Sequence, residues 1–277
     1  MKILVTGATG FLGSRLIAEL KGGFENIYGV STSGTETTIG CDLNKRGSVK
    51  DLFDSYVPDC IVHCAANVPR KASDYRDEML CKSNVLMTKN VLEESLCPIV
   101  YISSMTVYGS SPSIPVYEPD ACVTDNHYAK SKFDCECIIK DSGRPGLAIR
   151  IPGLFGMPRQ SGLVYNLVRS AMTGNDIALP PSPISWAGIH VGDAAKRIAD
   201  LVPKATSDFS AINLGCAGET SVNQLIRLVN DIFGSEIETN INHPMFEFDL
   251  SRYKSLSSLP AANLRKSLEL LGGEIVA

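Results

Sequence analysis

The chain has 277 residues, of which 44% are hydrophobic and 20% charged, a composition typical of a globular protein with a sizeable core. A formal net charge of -4 provides no basic surface for phosphates and argues against nucleic-acid binding. No apolar run approaches the roughly 20 residues that cross a bilayer, and no signal-peptide pattern opens the chain, so we expect a cytoplasmic protein without membrane contact. The 4 histidines are scattered and the 9 cysteines irregularly spaced, which predicts reduced thiols and no metal site.

The first half of the chain alternates between short apolar runs and helical patterns. Strands are predicted at residues 2–6, 26–32, 37–41, 59–66, 98–104 and 146–151. Helices are predicted at residues 10–20, 47–56, 74–96 and 126–140. Because the strands are almost continuously apolar, we expect helices to cover them on both faces. The pattern predicts an α/β fold with a Rossmann-type, doubly wound parallel sheet.

The rhythm changes after residue 151, where prolines and glycines crowd residues 151–162 and 179–188. Helices are predicted at residues 162–173, 191–202 and 221–233, with a single strand at 210–215. This is too little regular structure for an independent core. We therefore predict a sheet-bearing domain at residues 1–151 and a smaller lobe at 152–277 packed on it, part of which can return to the sheet.

A glycine loop joins the first predicted strand to the first predicted helix. Gly7, Gly10 and Gly13 stand in "TGATGFLG", in the strand–loop–helix context of a dinucleotide site. Gly7 would allow the sharp turn, Gly10 the close approach of a pyrophosphate, and Gly13 close packing of helix on strand. A structural turn, or a nucleotide site of another kind, is the alternative interpretation.

A second group of polar residues lies more than a hundred residues further on. Tyr128 and Lys132 in "YAKSK" are one helical turn apart, so they share a face. A neighbouring ammonium is expected to lower the pKa of the phenol, which could then exchange a proton with a carbonyl or hydroxyl. Ser103 and Ser104 end a predicted parallel strand, at the edge where such sheets bind ligands. The glycine loop, the strand-end serine and this pair are each weak evidence. Only their combination, in this order and spacing, is specific for an active site next to a dinucleotide site.

The chain resembles the extended short-chain dehydrogenase/reductase family, which includes nucleotide-sugar epimerases, dehydratases and 4-ketoreductases. The motifs that carry the resemblance are "TGATGFLG", "IVHCAA", "SSMTVYG", "YAKSK", "IRIPGLFG", "IHVGD" and "INLG". The resemblance implies that Ser104, Tyr128 and Lys132 are catalytic, and it makes Ser103 a structural hydroxyl. It also implies NAD(P) binding by residues 1–151 and substrate binding by residues 152–277.

The resemblance further implies a set of cofactor-binding residues. Asp42 and Leu43 would flank the adenine, Ala65 and Ala66 would let the cofactor cross the strand end, and Asn84 would help orient the site. The full set is Gly7, Thr9, Gly10, Phe11, Leu12, Ser31, Asp42, Leu43, Ala65, Ala66, Asn84, Tyr128, Lys132 and Ile151.

The cofactor choice depends on residues 31–33. The second strand ends without the aspartate that would bind the ribose 2′-hydroxyl of NAD, and Ser31 could contact a 2′-phosphate instead. Arg15 is a possible charge partner for that phosphate, or an ordinary solvated helix residue. The sequence therefore predicts NADP or NAD as the cofactor, and these residues favour NADP.

Departures from the family pattern concern the substrate. Met105 and Thr106 replace the acidic pair of sugar dehydratases, which argues against water elimination. Gly153 replaces the usual asparagine and Trp186 the usual arginine of the substrate site. Arg159 or Arg169 could serve the pyrophosphate instead, and an ordinary surface charge is the alternative interpretation of either.

The sequence thus predicts hydride transfer at a secondary alcohol or ketone, on the sugar of a nucleotide-sugar, by a 4-epimerase or a 4-ketoreductase. A reductase of a non-sugar ketone and a non-catalytic dinucleotide-sensing protein are the alternatives. By analogy with the family, residues 74–96 and 125–141 could form a homodimer interface.

Overall fold

The computed structural model describes residues 1–276, and a single parallel sheet of 7 strands organises them. The strand order is β3-β2-β1-β4-β5-β6-β9, with every neighbouring pair parallel. The chain steps outward from β1 to β3 and then returns to the other side of β1, so the switch point lies between β1 and β4. The strands are β1 (Lys2–Thr6), β2 (Asn26–Ser31), β3 (Ile39–Gly40), β4 (Cys60–His63), β5 (Ile99–Ser104), β6 (Gly146–Ile151), β7 (Gly153–Phe155), β8 (Gly188–His190) and β9 (Ser210–Asn213).

Helices cover both faces of this sheet. They are α1 (Phe11–Lys21), α2 (Arg46–Ser55), α3 (Glu78–Glu94), α4 (His127–Asp141), α5 (Leu163–Thr173), α6 (Val191–Leu201), α7 (Val222–Phe233), α8 (Ser251–Leu256) and α9 (Leu264–Val276). Successive strand residues point to opposite faces, so Ile3 and Val5 of β1 join the core beneath α1 and α6, whereas Leu4 joins the core beneath α2, α3 and α4. The predicted doubly wound parallel sheet is confirmed.

The predicted elements of the first 151 residues are present, with one difference. The helix expected at residues 74–96 is a short 3-10 helix, Ala72–Arg76, followed by α3. Asp77 separates the two because its backbone is extended and its side chain accepts a hydrogen bond from the Leu80 amide, which caps α3.

The part of the chain after residue 151 contains elements that the sequence pattern did not indicate. β7 and β8 form a separate two-stranded parallel sheet, and α8 and α9 follow α7. β9 returns to the main sheet and pairs with β6. α5, α7 and α9 pack on one another next to β8, at the same end of the sheet as the carboxyl ends of β5 and β6. The start of α5, together with β7 and residues 183–187, forms one wall of a cleft.

Candidate active site

A cleft of about 1520 Å³ opens at the carboxyl ends of β1, β4, β5 and β6. Its floor is formed by the glycine loop and the strand ends, and its far wall by β7 and residues 183–187. Open α/β sheets bind ligands at this edge, next to the switch point of the strand order. The predicted residues that line it are Gly7, Gly10, Phe11, Leu12, Ser104, Tyr128, Lys132 and Ile151 together with Ala66.

The glycine loop is held in a shape that only glycine allows. Gly7 has a φ of +67°, and a Cβ at this position would lie 2.8 Å from the amide nitrogen of Ala65. A Cβ on Gly13 would lie 2.2 Å from the carbonyl oxygen of Gly7. Gly10 is the N-cap of α1, and Phe11, Leu12 and Gly13 at the start of this helix line the cleft. The amides of a first helical turn have no partner within the helix, which makes this end suitable for binding an anion.

Three residues named as catalytic from the sequence meet in this cleft. Ser104 is the last residue of β5, and Tyr128 and Lys132 lie one turn apart on α4. The start of α4 is fixed by Asn126, whose side chain accepts a hydrogen bond from the amide of Ala129 at 2.9 Å.

The phenol of Tyr128 does not have the predicted low pKa. Burial raises its pKa, with Tyr75 acting in the same direction and the nearby Ser104 hydroxyl in the opposite one. The ring of Tyr75 packs edge-on against that of Tyr128, with centroids 5.8 Å apart. The prediction is wrong for the protein alone, because the loss of water around the phenol outweighs its polar contacts.

The ammonium of Lys132 is hydrogen-bonded to the backbone of β5 and lies 5.9 Å from the ring centroid of Tyr128. Its Nζ donates a hydrogen bond to the carbonyl oxygen of Ile102 at 2.7 Å and lies 4.9 Å from the ring centroid of Tyr101. Burial lowers the pKa of Lys132 from 10.5 to about 8. Burial of this cation therefore reduces the stability of the folded protein, which is typical of functional rather than structural lysines.

We expect Lys132→Met to stabilise the protein near neutral pH. The lowered pKa of Lys132 corresponds to roughly 3 kcal/mol of burial cost, partly offset by the lost hydrogen bond to Ile102, so the melting temperature should rise by about 4–8 °C. The unfolded chain binds more protons between pH 8 and 10.5, so wild-type stability rises with pH across this window and the advantage of Lys132→Met disappears above it. Calorimetry at pH 7 and pH 10.5 measures both values. Lys130→Met on the same helix is the exposed control, and an equal gain there would contradict the assignment.

Polar contacts behind the cleft fix the segment that follows β4. The side chain of Asn84 accepts a hydrogen bond from the Asn67 amide at 2.7 Å and donates to its carbonyl at 3.2 Å. Thr6 accepts from the Ala65 amide at 3.2 Å and hydrogen-bonds with Nδ1 of His63. Burial lowers the pKa of His63 to about 3, so this imidazole is neutral. Of these residues, only Asn67 lines the cleft, and the others shape it from behind.

The remaining predicted cofactor residues lie behind or beside the cleft lining. Ser31 is buried, and its hydroxyl is 2.8 Å from that of Thr38. Asp42 accepts a hydrogen bond from the Asn44 amide, and Leu43 is buried in the core beneath α2. Thr9, Ala65 and Asn84 are likewise absent from the lining. Their roles in cofactor binding stay predictions.

A buried ion pair next to the site was not found from the sequence. The carboxylate of Glu136 accepts hydrogen bonds from Ser103 at 2.5 Å and from Nη2 of Arg150 at 2.6 Å. Two signals could have revealed it: Glu136 follows Lys132 by four residues on one helix face, and Arg150 interrupts an otherwise apolar strand. The hydroxyl of Ser103 therefore contacts the ion pair, although the residue also contributes to the cleft lining.

The far wall of the cleft carries the departures from the family pattern. Gly153 pairs with Gly188 between β7 and β8, and Trp186 lines the cleft beside them. Arg159 also lines the cleft, with its guanidinium 4.2 Å from the ring centroid of Phe11, whereas Arg169 borders a separate small depression.

Two further residues of this part of the chain make structural contacts. His190 lies 3.1 Å from the carboxylate of Glu274, and Asp193 pairs with Arg197 and accepts a hydrogen bond from Ser267. Both hold α6 and α9 in place.

Neither a metal cluster nor a membrane span is found within residues 1–276. No group of three or more histidine, cysteine, aspartate or glutamate side chains there is arranged to hold a metal ion. No described helix is long and apolar enough to cross a membrane.

The sheet topology and the glycine loop define the class of this protein, a Rossmann-type α/β protein with a ligand cleft at its switch point. The family model described as the NAD dependent epimerase/dehydratase family matches residues 3–215, and the chain belongs to that family. The resemblance drawn from the motifs is thereby confirmed.

Individual relatives agree with this placement. The chain is 28% identical over 160 residues to the methionine adenosyltransferase 2 subunit beta of Xenopus laevis, across 56% of this chain and 47% of that protein. It therefore spans about half the length of this curated relative. It is 25% identical to the D-erythronate dehydrogenase of Haemophilus influenzae across 94% of this chain and 90% of that protein. The UDP-glucose 4-epimerase of Thermotoga maritima, solved with UDP-glucose, has the same fold, with a TM-score of 0.82, 21% identity, and coverage of 100% of this chain and 99% of that chain.

Proposed function

We propose that the protein catalyses NAD(P)-dependent hydride transfer at a secondary alcohol or ketone, on the sugar of a nucleotide-sugar. One observation carries the proposal: a single continuous cleft joins the glycine loop to Ser104, Tyr128 and Lys132 and reaches Trp186 on the far wall. Its volume, about 1520 Å³, exceeds that of a typical single-ligand pocket, so a dinucleotide and a second ligand fit together. Residues 1–151 would hold the dinucleotide and residues 152–277 the substrate.

Each polar group in the cleft has a distinct task in this proposal. Tyr128 gives a proton to the reacting oxygen during reduction and takes it back during oxidation. Ser104 donates a hydrogen bond to the same oxygen, and Lys132 adds positive charge beside the phenol. A bound nicotinamide supplies the hydride or accepts it. The positive charge of an oxidised nicotinamide beside Tyr128 would lower a phenol pKa that burial raises.

The cofactor part of the proposal favours NADP weakly over NAD. Residues 31–33 contain no carboxylate that would repel a 2′-phosphate, and Thr32 and Ser33 are exposed. The preference is small because both expected partners of a 2′-phosphate have contacts within the protein: the guanidinium of Arg15 donates to the Met157 carbonyl at 3.0 Å, and the Ser31 hydroxyl contacts Thr38. Discrimination between NADP and NAD requires a group that repels one of them or attracts the other. Neither residues 31–33 nor Arg15 provides such a group strongly.

The substrate part of the proposal rests on charge and on relatives. Arg159 lines the cleft together with Arg70, and each could bind a diphosphate oxygen. The Thermotoga maritima enzyme was solved with UDP-glucose, which supports a nucleotide-sugar. The altered residues Gly153 and Trp186, and the similarity to a D-erythronate dehydrogenase, favour a non-sugar hydroxy acid as the second candidate.

A substrate panel tests the proposal. The purified protein is incubated with UDP-glucose, UDP-galactose, a 4-keto nucleotide-sugar and D-erythronate, each with NAD, NADH, NADP or NADPH. We expect either interconversion of a 4-epimer pair without net change in cofactor absorbance, which identifies an epimerase, or stoichiometric NADPH oxidation, which identifies a ketoreductase. Oxidation of D-erythronate alone would support the second candidate.

One outcome of this panel would contradict catalysis. Tight dinucleotide binding with no turnover of any compound would favour the non-catalytic dinucleotide-sensing alternative, in line with the relatives named as a subunit. Sedimentation of the same sample tests the homodimer, which remains a prediction.

A further inference from the structure

The hydroxyl of Ser104 accepts two hydrogen bonds from one residue, Thr106. The Thr106 amide donates to Ser104 Oγ at 3.2 Å, and the Thr106 hydroxyl donates to the same atom at 3.0 Å. Ser104 caps the 3-10 helix Met105–Tyr108, which places the Thr106 side chain back over it. Ser104 is buried and both residues line the cleft, so these bonds lie where a reacting oxygen would bind.

A serine hydroxyl has one O–H donor and two acceptor lone pairs. With both lone pairs occupied by Thr106, Ser104 can donate a hydrogen bond but has no position left to accept one. The phenol of Tyr128 therefore cannot use Ser104 as an acceptor. Its proton is left for the reacting oxygen, while its own oxygen can accept from Ser104.

We propose that Thr106 is a positioning residue that makes Ser104 an obligate donor and thereby sets the direction in which Tyr128 delivers its proton. The inference rests on the proposed hydride transfer. During reduction the carbonyl carbon receives a hydride, which a bound nicotinamide would supply, the C=O π pair moves to oxygen, and Tyr128 gives its proton to that oxygen. The single O–H of Ser104 donates to the phenol oxygen in the free protein and to the reacting oxygen once the carbonyl is bound, and Ser104 keeps its own proton.

Thr106→Val keeps the shape of the side chain and the amide bond but removes the hydroxyl. A freed lone pair lets Ser104 turn and accept from Tyr128, which misdirects the proton. Since a hydrogen bond of this kind is worth about 1 kcal/mol, we expect kcat to fall about fivefold to tenfold with KM changed less than twofold. The limb of the pH profile that reports Tyr128 should move to higher pH, because less donation reaches the phenolate. Thr106→Ser should restore kcat to within twofold.

A second readout needs no substrate. The ¹³Cζ resonance of Tyr128 in protein labelled with [¹³C]tyrosine, assigned with Tyr128→Phe, reports hydrogen bonds to the phenol oxygen. We expect Thr106→Val to shift it in the same direction as Ser104→Ala, and Thr106→Ser to leave it near the wild-type position. Thr173→Val is the matched control, since that exposed hydroxyl donates to the Arg169 carbonyl on α5, outside the cleft lining.

Two results would overturn the inference. One is a Tyr128 resonance that moves in Ser104→Ala and stays in place in Thr106→Val, which would refute the positioning role whether or not any sugar is turned over. The other is a Thr106→Ser variant as impaired as Thr106→Val, which would assign the residue a packing role. Absence of turnover in the wild-type protein would count against the proposed function alone.

Discussion

Tyr128→Phe is expected to lower kcat by about 10²–10⁴, the range for loss of a general acid–base group. The phenol is the one proton donor that the proposal places at the reacting oxygen. Phenylalanine keeps the ring that packs edge-on against Tyr75 at 5.8 Å, so the fold should be preserved. Steady-state kinetics with the substrate identified by the panel gives kcat, and calorimetric titration should show dinucleotide affinity within a few-fold of wild type.

Tyr117→Phe is the matched control for this loss. Tyr117 is exposed and lies outside the cleft lining, so removal of its hydroxyl should leave kcat unchanged. A Tyr128→Phe variant that turns over within tenfold of the wild-type rate would remove Tyr128 from the mechanism. Loss of kcat together with loss of dinucleotide binding would instead point to a disturbed cleft.

The regular half of the fold follows from local pattern. Apolar runs bounded by glycine and polar residues predicted β1, β4, β5 and β6 to within about two residues at most ends, because parallel strands that are covered on both faces are mostly apolar. β7 and β8 escaped prediction since each has only three residues and is stabilised by its partner strand. α9 escaped because its apolar face is defined by α5 and α7, which are distant in sequence.

In the candidate site, too, features set by local sequence could be predicted, whereas features set by distant contacts could not. The spacing of Tyr128 and Lys132 on a helix, and of the glycines in the loop, is local and could be predicted. The pKa of Tyr128 could not, because it depends on burial and on Tyr75, which lies far from Tyr128 in sequence. The contact of Arg15 could not be predicted either, since its partner, the Met157 carbonyl, is 142 residues away in the sequence.

Glu136→Ala is expected to lower the free energy of unfolding by about 3–5 kcal/mol, the usual result of removing one partner from a buried ion pair. The side chains of Glu136 and Arg150 are only 6% and 5% exposed. Arg150 also donates to the Tyr108 hydroxyl at 2.7 Å and to the Glu118 carbonyl at 3.1 Å, and those contacts do not neutralise its charge. Urea unfolding followed by circular dichroism measures the loss.

The same helix offers the contrast that makes the measurement specific. Asp134 pairs with Lys130 at 2.9 Å on the exposed face of α4, and Asp134→Ala should cost less than about 1 kcal/mol. Replacing both Glu136 and Arg150 by methionine should recover much of the stability, since no uncompensated charge remains. The activity of this double variant should stay below that of the wild type, because the Ser103 hydroxyl, next to Ser104, loses its carboxylate acceptor. Equal costs for Glu136→Ala and Asp134→Ala would show that the buried pair does not hold β5, β6 and α4 together.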